Sequence, residues 1–257
     1  MATFGLYRIH VLELTNYLII IPCYNEAQRL PSQAFIDFGK ANASIHFLFV
    51  NDGSTDATET VLKDLCVQNN QFNYYNCAKN QGKAGAIREG MLHIQDPTHY
   101  EYIGYFDADL ATPLTEIPYF LTEIAKRDPK PLFVMGSRLA RMGAVIERKA
   151  HRHYLGRVFA TAVSLVLGLP VYDTQCGAKL IHHSQIVQLF EKPLLTKWLF
   201  DVELLARMKS KIGKKKMHET VLEIPLNEWR EIEGSKLKAT DFLKAPWELF
   251  KIWRTNG

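Results

Sequence analysis

The chain has 257 residues, 47% of them hydrophobic, and a formal net charge of +4. That is enough apolar material for one large domain with a sizeable core, and too balanced a charge to require a nucleic-acid partner. Four cysteines, Cys23, Cys66, Cys77 and Cys176, stand far apart without a Cys-x-x-Cys pair, which gives neither a zinc pattern nor a disulfide framework and fits a reducing compartment.

Residues 1–15 show no continuous apolar core of the kind a signal peptide carries and read as an added arm. Tyr17-Leu18-Ile19-Ile20-Ile21 is a compact apolar run ending at Pro22, the pattern of a strand buried on both faces. A polar turn, Cys23-Tyr24-Asn25-Glu26, follows it. A helix is expected over 31–41 and a second strand over 45–50, ending in Asn51-Asp52-Gly53-Ser54-Thr55-Asp56. Ser54 or Thr55 is placed to cap a helix over 56–69.

A third strand over 72–77 leads to Asn80-Gln81-Gly82-Lys83-Ala84-Gly85 and a helix to about residue 95. Glycines there would let backbone N–H groups approach an anion, with Lys83 and Arg88 adding charge; a plain glycine-rich helix start reads equally well. The run Tyr102-Ile103-Gly104-Tyr105-Phe106 is a fourth strand, and Asp107-Ala108-Asp109 leaves its C-terminal end. Strand alternation would aim both carboxylates the same way, a hard oxygen pair suited to Mg²⁺ or Mn²⁺; two solvated acids in a loop is the plain alternative. A helix over 114–127 and a strand over 131–136 follow, closing with Ser137-Arg138. Strands and helices alternate to this point, so an α/β, doubly wound, mostly parallel sheet is expected, with the turns at 23–26, 51–56 and 107–109 at one edge.

The second half is organised differently. Residues 147–157 are basic and precede an apolar helix over 158–168. The apolar run from Val158 to Tyr172 is too short to span a bilayer. Asp173-Thr174-Gln175-Cys176-Gly177-Ala178-Lys179 is a polar segment before Leu180-Ile181, and Trp198 to Leu205 begins a helix that runs into six cations between Arg207 and Lys216. After a short strand over 221–225 and a polar loop over 228–236, a last helix over 240–254 carries Leu243, Trp247, Phe250 and Trp253 at helical spacing. Nine histidines show no metal-ligand spacing.

Ile21 to Glu26, Val50 to Asp56, Asn80-Gln81-Gly82-Lys83 and Phe106-Asp107-Ala108-Asp109 together resemble, in order and spacing, the family 2 inverting glycosyltransferases of GT-A fold. Asp173 to Gly177, Phe200-Asp201-Val202-Glu203 and Trp229 to Lys236 look like the branch that glucosylates dolichyl or polyprenyl phosphate. The resemblance covers about residues 16–254. It implies a glycosyltransferase domain over 16–230, with a nucleotide-sugar half (16–138) and an acceptor half (139–230), followed by a C-terminal loop and amphipathic helix over 231–257. Three departures stand out: Ala84 where a glycine is usual, no glutamine shortly after the aspartate pair, and no N-terminal membrane helix, which most eukaryotic members of the branch carry and whose lack fits a bacterial origin.

The resemblance also implies roles. Asp52, with Pro22, Tyr24 and Glu26, would hold uridine. Lys83 would help hold the diphosphate or uridine, Asp107 would sit at the ribose and metal, and Asp109 would ligate the Mg²⁺ or Mn²⁺ directly. Arg138 and Arg152, with Arg148 next, would place an acceptor phosphate. Asp173, Gln175 and Asp201 would line the donor-sugar or acceptor site, with Asp201 a base if the acceptor were a hydroxyl. The expected reaction moves a hexose, glucose from UDP-glucose, onto a polyprenyl phosphate at the cytosolic face of a membrane, where residues 207–216 and the last helix would dock. A transferase acting on a saccharide hydroxyl and a non-catalytic nucleotide-sugar-binding module are the alternatives.

Overall fold

The computed structural model describes residues 16–148, 150–232 and 239–256, without the side chains of 150–153, 239–243 and 256. The expected arm over 1–15, the Arg152 side chain and residues 233–238 of the expected loop lie outside the described residues. In chain order the elements are β1 (Tyr17–Cys23), α1 (Ser32–Ala41), β2 (Ile45–Asn51), α2 (Thr58–Gln68), β3 (Phe72–Asn76), α3 (Gly82–His93), β4 (Tyr102–Tyr105), α4 (Glu116–Ala125) and β5 (Phe133–Ser137). There follow β6 (Val145–Glu147), α5 (Ala150–Leu167), β7 (Lys179–His182), α6 (Ile186–Phe190), α7 (Phe200–Thr220), β8 (Val221–Pro225), β9 (Glu228–Arg230) and α8 (Ala239–Asn256).

Seven strands form one sheet in the order β3-β2-β1-β4-β7-β5-β8, and β6 pairs with β9 in a separate ribbon. The pairings of β1 with β2 and β4, of β2 with β3, and of β5 with β8 are parallel. Helices cover both faces, so the central strands need no polar side. Ile19, Ile20 and Ile21 are all fully buried, and alternate residues enter opposite cores. Each such side chain contributes about 2 kcal/mol of burial. One core is aromatic: Phe35 meets Phe47 and Phe49 edge-on, at ring-centroid distances of 5.5 and 5.1 Å.

The second half departs from expectation in three places. Leu180-Ile181, which follows the polar segment with no element expected for it, lies in β7, which inserts antiparallel between β4 and β5. Its apolar run is too short to announce a strand, and its partners are distant in sequence. Gly104 of β4 permits this pairing, because a Cβ there would stand 2.1 Å from the Lys179 carbonyl oxygen. Helix α5 begins at Ala150, so the basic segment is helical from that point rather than a preface to a helix at 158. Finally, the loop expected over 228–236 opens with β9.

Candidate donor and acceptor site

Three turns gather at the C-terminal ends of β1, β2 and β4, where an open α/β sheet binds ligands. Pro22 is the second-last residue of β1, paired in register with Val50, and Tyr24 and Glu26 follow in the adjoining turn. The first two turns are joined. The Asn25 N–H donates to Ser54 Oγ at 2.9 Å, the Thr55 N–H donates to Asn25 Oδ1 at 2.9 Å, and the Glu26 N–H donates to Thr58 Oγ1 at 2.8 Å. Asn25 holds a left-handed φ of 52°, which its short polar side chain tolerates. Ser54 and Thr55 therefore tie turn to turn and do not cap α2, whose N-cap is Ala57 with no side-chain hydrogen bond; Asp56, one residue earlier, accepts the Thr58 N–H at 3.0 Å.

Asp52 is buried, and its two carboxylate oxygens accept the N–H groups of Gln81 and Gly82, each at 2.8 Å. The amides at the start of α3 thus meet an anion supplied by the chain itself, not one left to a ligand. Gly53 makes the approach possible, since a Cβ there would lie 2.6 Å from the Asn80 nitrogen. Arg88, also expected to serve an anion, instead caps α6 by donating to the carbonyls of Phe190 and Glu191, at 2.9 and 2.6 Å.

The aspartate pair sits on a turn, not on an extended strand. β4 ends at Tyr105, the Leu110 N–H donates to the Asp107 carbonyl at 3.3 Å, and Leu110 takes φ 53°, an uncommon conformation for a bulky residue. The Ala111 N–H donates to Asp109 Oδ1 at 3.1 Å. Lys83, in the first turn of α3, pairs with Asp107 Oδ1 at 2.5 Å. Burial and the neighbouring Asp107 charge raise the pKa of Asp109. Burial works to lower that of Lys83, but the negative charges of Asp107, Asp201 and Asp109 outweigh it and the net shift is upward.

Behind this turn runs the segment 172–179, which joins the two halves of the site. Gly177 lies against Asp107. Asp173, buried, receives Arg138 in a fork: Nε at 2.6 Å, Nη2 at 2.7 Å, and the Arg138 backbone N–H at 3.0 Å. Burial alone would raise the Asp173 pKa, yet Arg138 holds it down at about 2. Glu223 accepts the N–H groups of Tyr172 and Asp173, at 2.8 and 2.7 Å. The Arg138 guanidinium lies 5.3 Å from the Trp229 ring centroid, and that of Arg157 lies 3.6 Å from the Tyr172 ring centroid. Arg148 completes the group: burial and the like charge of Arg138 both lower its pKa. The Gln175 Nε2 is buried without a hydrogen-bond partner.

Asp201 is not at the surface of the site. Its Oδ1 accepts the Tyr105 hydroxyl at 2.5 Å and pairs with Lys179 Nζ at 2.7 Å, and all three residues are buried. Lys179 Nζ also donates to the carbonyls of Thr174, at 2.7 Å, and Cys176. Cys176 is a free, buried thiol pushed up to about 11, first by burial and then by Asp173, which leaves little thiolate for chemistry.

Residues 18–190 match the family model described as glycosyl transferase family 2. The chain belongs to this family. Curated relatives within reach include the dolichyl-phosphate β-glucosyltransferase of Saccharomyces cerevisiae, 31% identical, with 91% of this chain and 73% of that protein covered. The Drosophila melanogaster protein of the same name is 32% identical, with the same coverage. A solved glucosyl-3-phosphoglycerate synthase from Mycobacterium tuberculosis, in complex with Mn²⁺ and UDP-glucose, superposes with a TM-score of 0.67 at 12% identity, covering 94% of this chain and 79% of that one. That likeness establishes a shared GT-A fold.

For this family 2 chain, the turn residues Asp52, Lys83, Asp107 and Asp109 come together, and Arg138 and Asp173 join them through Gly177. Four residues were missed in the sequence: Tyr105, Gly177, Lys179 and Glu223. Gly177 lies inside the Asp173–Gly177 motif but has no side chain to signal a role. Lys179 and Glu223 sit in apolar strand contexts, where an isolated charge looks incidental until its partners are known.

Proposed function

We propose that this chain transfers glucose, with inversion, from UDP-glucose to the phosphate of a polyprenyl or dolichyl phosphate. The observation that carries this reading is the arginine group of Arg138, Arg148 and Arg157 set beside the aspartate turn and joined to it by segment 172–177. A donor site that borders concentrated, partly buried guanidinium charge suits a phosphate-bearing acceptor, and the curated relatives bear the name of that activity.

The residues divide the work. Pro22, Tyr24, Glu26 and Asp52 form the turn edge that would receive uridine, with Asp52 holding the start of α3 in place. Asp109 and Asp107 would hold a Mg²⁺ or Mn²⁺ ion, and their oxygen donors and mutual charge repulsion fit a cation. Among the described residues no third His, Cys, Asp or Glu joins them, so the remaining ligands would come from the diphosphate and water. When bound, such an ion neutralises charge on the departing diphosphate. Lys83 pairs with Asp107 Oδ1 at the same turn.

A phosphate oxygen of the acceptor attacks the anomeric carbon, and the bond from that carbon to the UDP oxygen breaks with its electron pair leaving on UDP. With a second pKa near 6, as for phosphoamino acids, the acceptor is already an anion at neutral pH and needs no base. This accords with Asp201, whose carboxylate is engaged by an ammonium and a hydroxyl. Arg138 and Arg148, with Arg152, would place the phosphate. The reaction would run at the cytosolic face of a membrane. No helix among the described residues is long and apolar enough to cross one.

Purified protein incubated with radiolabelled UDP-glucose, Mg²⁺ and a polyprenyl phosphate should place label in the lipid phase, and Asp201→Asn should retain turnover if it folds. Label absent from the lipid phase while another sugar nucleotide transfers would sink the donor assignment. Transfer to a saccharide hydroxyl that Asp201→Asn abolishes would favour the polysaccharide alternative.

A further inference from the structure

Helix α8 carries two apolar stripes. Ala245, Leu249 and Ile252, at helical spacing, are buried against the domain. That contact already satisfies the packing of the helix. A second stripe, Trp247, Phe250 and Trp253, is 58%, 43% and 55% exposed. Its rings contact one another, with Trp247 and Phe250 stacked at 5.6 Å and Phe250 and Trp253 at 6.0 Å. Helix α5 shows the same surplus: Tyr154, Val158 and Leu165, at spacings of four and seven, share one face and are each at least 70% exposed. Between the two helices lies an apolar groove of about 470 Å³, lined by Leu165 and Val166 on one side and by Leu249, Phe250 and Trp253 on the other.

Contiguous exposed apolar surface of this kind marks an interaction face. The charges around it indicate the partner. Lys244, Lys251 and Arg254 are exposed on α8, with Lys251 Nζ 5.6 Å from the Trp247 ring. Lys214 reaches the C-terminal end of α5, 3.9 Å from where a Cβ on Gly168 would stand. The acid within that stretch of α8, Glu248, is half-buried. Tryptophan and tyrosine suit the boundary between water and hydrocarbon, and lysine and arginine at the same depth suit anionic headgroups.

We infer that α5 and α8 together form the face on which this protein lies against an anionic lipid bilayer. The inference rests on the lipid-acceptor reading for its purpose: α5 starts beside the Arg138 and Arg148 group, where Arg148 packs on Gly156, so the face leads from the bilayer to the candidate phosphate site. It also extends the docking surface expected at the last helix to α5. Of the six cations over 207–216, Lys214 borders the face, while Arg207 is engaged with Glu203 and with the carbonyls of Leu189 and Lys192.

The test is cosedimentation of the full chain with vesicles of phosphatidylcholine alone or with added phosphatidylserine. The chain should bind the mixed vesicles, less so as salt rises. Phe250→Glu with Trp253→Glu should weaken that binding by about tenfold or more, at unchanged circular dichroism, while transfer to a detergent-solubilised short-chain acceptor continues. Should that pair disturb folding, Lys244→Glu, Lys251→Glu and Arg254→Glu together should weaken binding to mixed vesicles by about tenfold or more. Undiminished binding in folded variants overturns the inference. So does a wild-type dimer that the aromatic variants convert to monomer without any effect on vesicles, since the face then belongs to a second copy. Vesicle binding without any glucose transfer leaves the face in place and defeats the catalytic reading instead.

Discussion

Gly177 lies so close to Asp107 that a Cβ on it would stand 1.8 Å from the carboxylate Oδ2 and 2.5 Å from Cγ. The segment carrying the arginine partner Asp173 therefore touches the aspartate turn with no side chain between them. Gly177→Ala should displace Asp107 and its ion pair with Lys83. Overpacking of this kind costs about 1–3 kcal/mol. We expect transfer to fall by at least about tenfold while the protein still folds, checked by steady-state turnover beside circular dichroism. Wild-type kcat/KM in Gly177→Ala would mean that Asp107 needs no such fixing.

Lys179, Asp201 and Tyr105 form a buried polar group whose members constrain one another. Lys179→Met removes the ammonium paired directly with the buried Asp201 Oδ1 and frees the carbonyls of Thr174 and Cys176. The expected loss is about 3–5 kcal/mol, against about 1 kcal/mol for Tyr105→Phe. Urea unfolding measures both. Equal losses would show that the ion pair carries no special share.

The two aspartates should fail differently. Asp109→Asn should lose turnover that depends on added Mg²⁺ or Mn²⁺ yet retain part of the UDP affinity. Asp107→Asn should weaken UDP binding more, because it also releases Lys83. Isothermal titration with UDP, with and without metal, separates the two outcomes. Identical losses in both variants remove the distinction.

Arg148 is the arginine to probe for the proposed acceptor site, since its charge lies near that of Arg138. Arg148→Ala should raise the KM for the polyprenyl phosphate about tenfold or more and leave UDP affinity unchanged. A changed UDP affinity with an unchanged acceptor KM would place it on the donor side.

Acid should loosen the Arg138–Asp173 fork. The folded pKa of Asp173 is depressed from 3.8 to about 2. A depressed carboxylate contributes stability above its unfolded pKa and loses it as pH falls through the folded one. This contribution, on the order of 2 kcal/mol, should therefore be present above about pH 4 and vanish toward pH 2. Asp173→Asn should be less stable at neutral pH and show a shallower loss of stability between pH 4 and 2.

The parallel half of the sheet was legible in the amino-acid order because its signals are local. An unbroken apolar run such as Leu18 to Ile21 must be buried on both faces, and a polar turn directly after it must sit at the strand's end. Three such runs are enough to place Asp52 and the Asp107–Asp109 pair at one sheet edge. Tertiary structure decided what those residues touch. Asp52 takes the amides of residues 81 and 82, Arg138 takes Asp173 thirty-five positions away, and Asp201 takes Lys179 from the neighbouring strand of Tyr105. The antiparallel insertion of β7 creates the last two meetings. Its four residues hold too little periodicity to declare themselves, and their pairing energy comes from strands distant in sequence. Hydrophobic pattern specifies which face of an element is buried, whereas the partner of a buried charge depends on which distant backbone the fold brings to it.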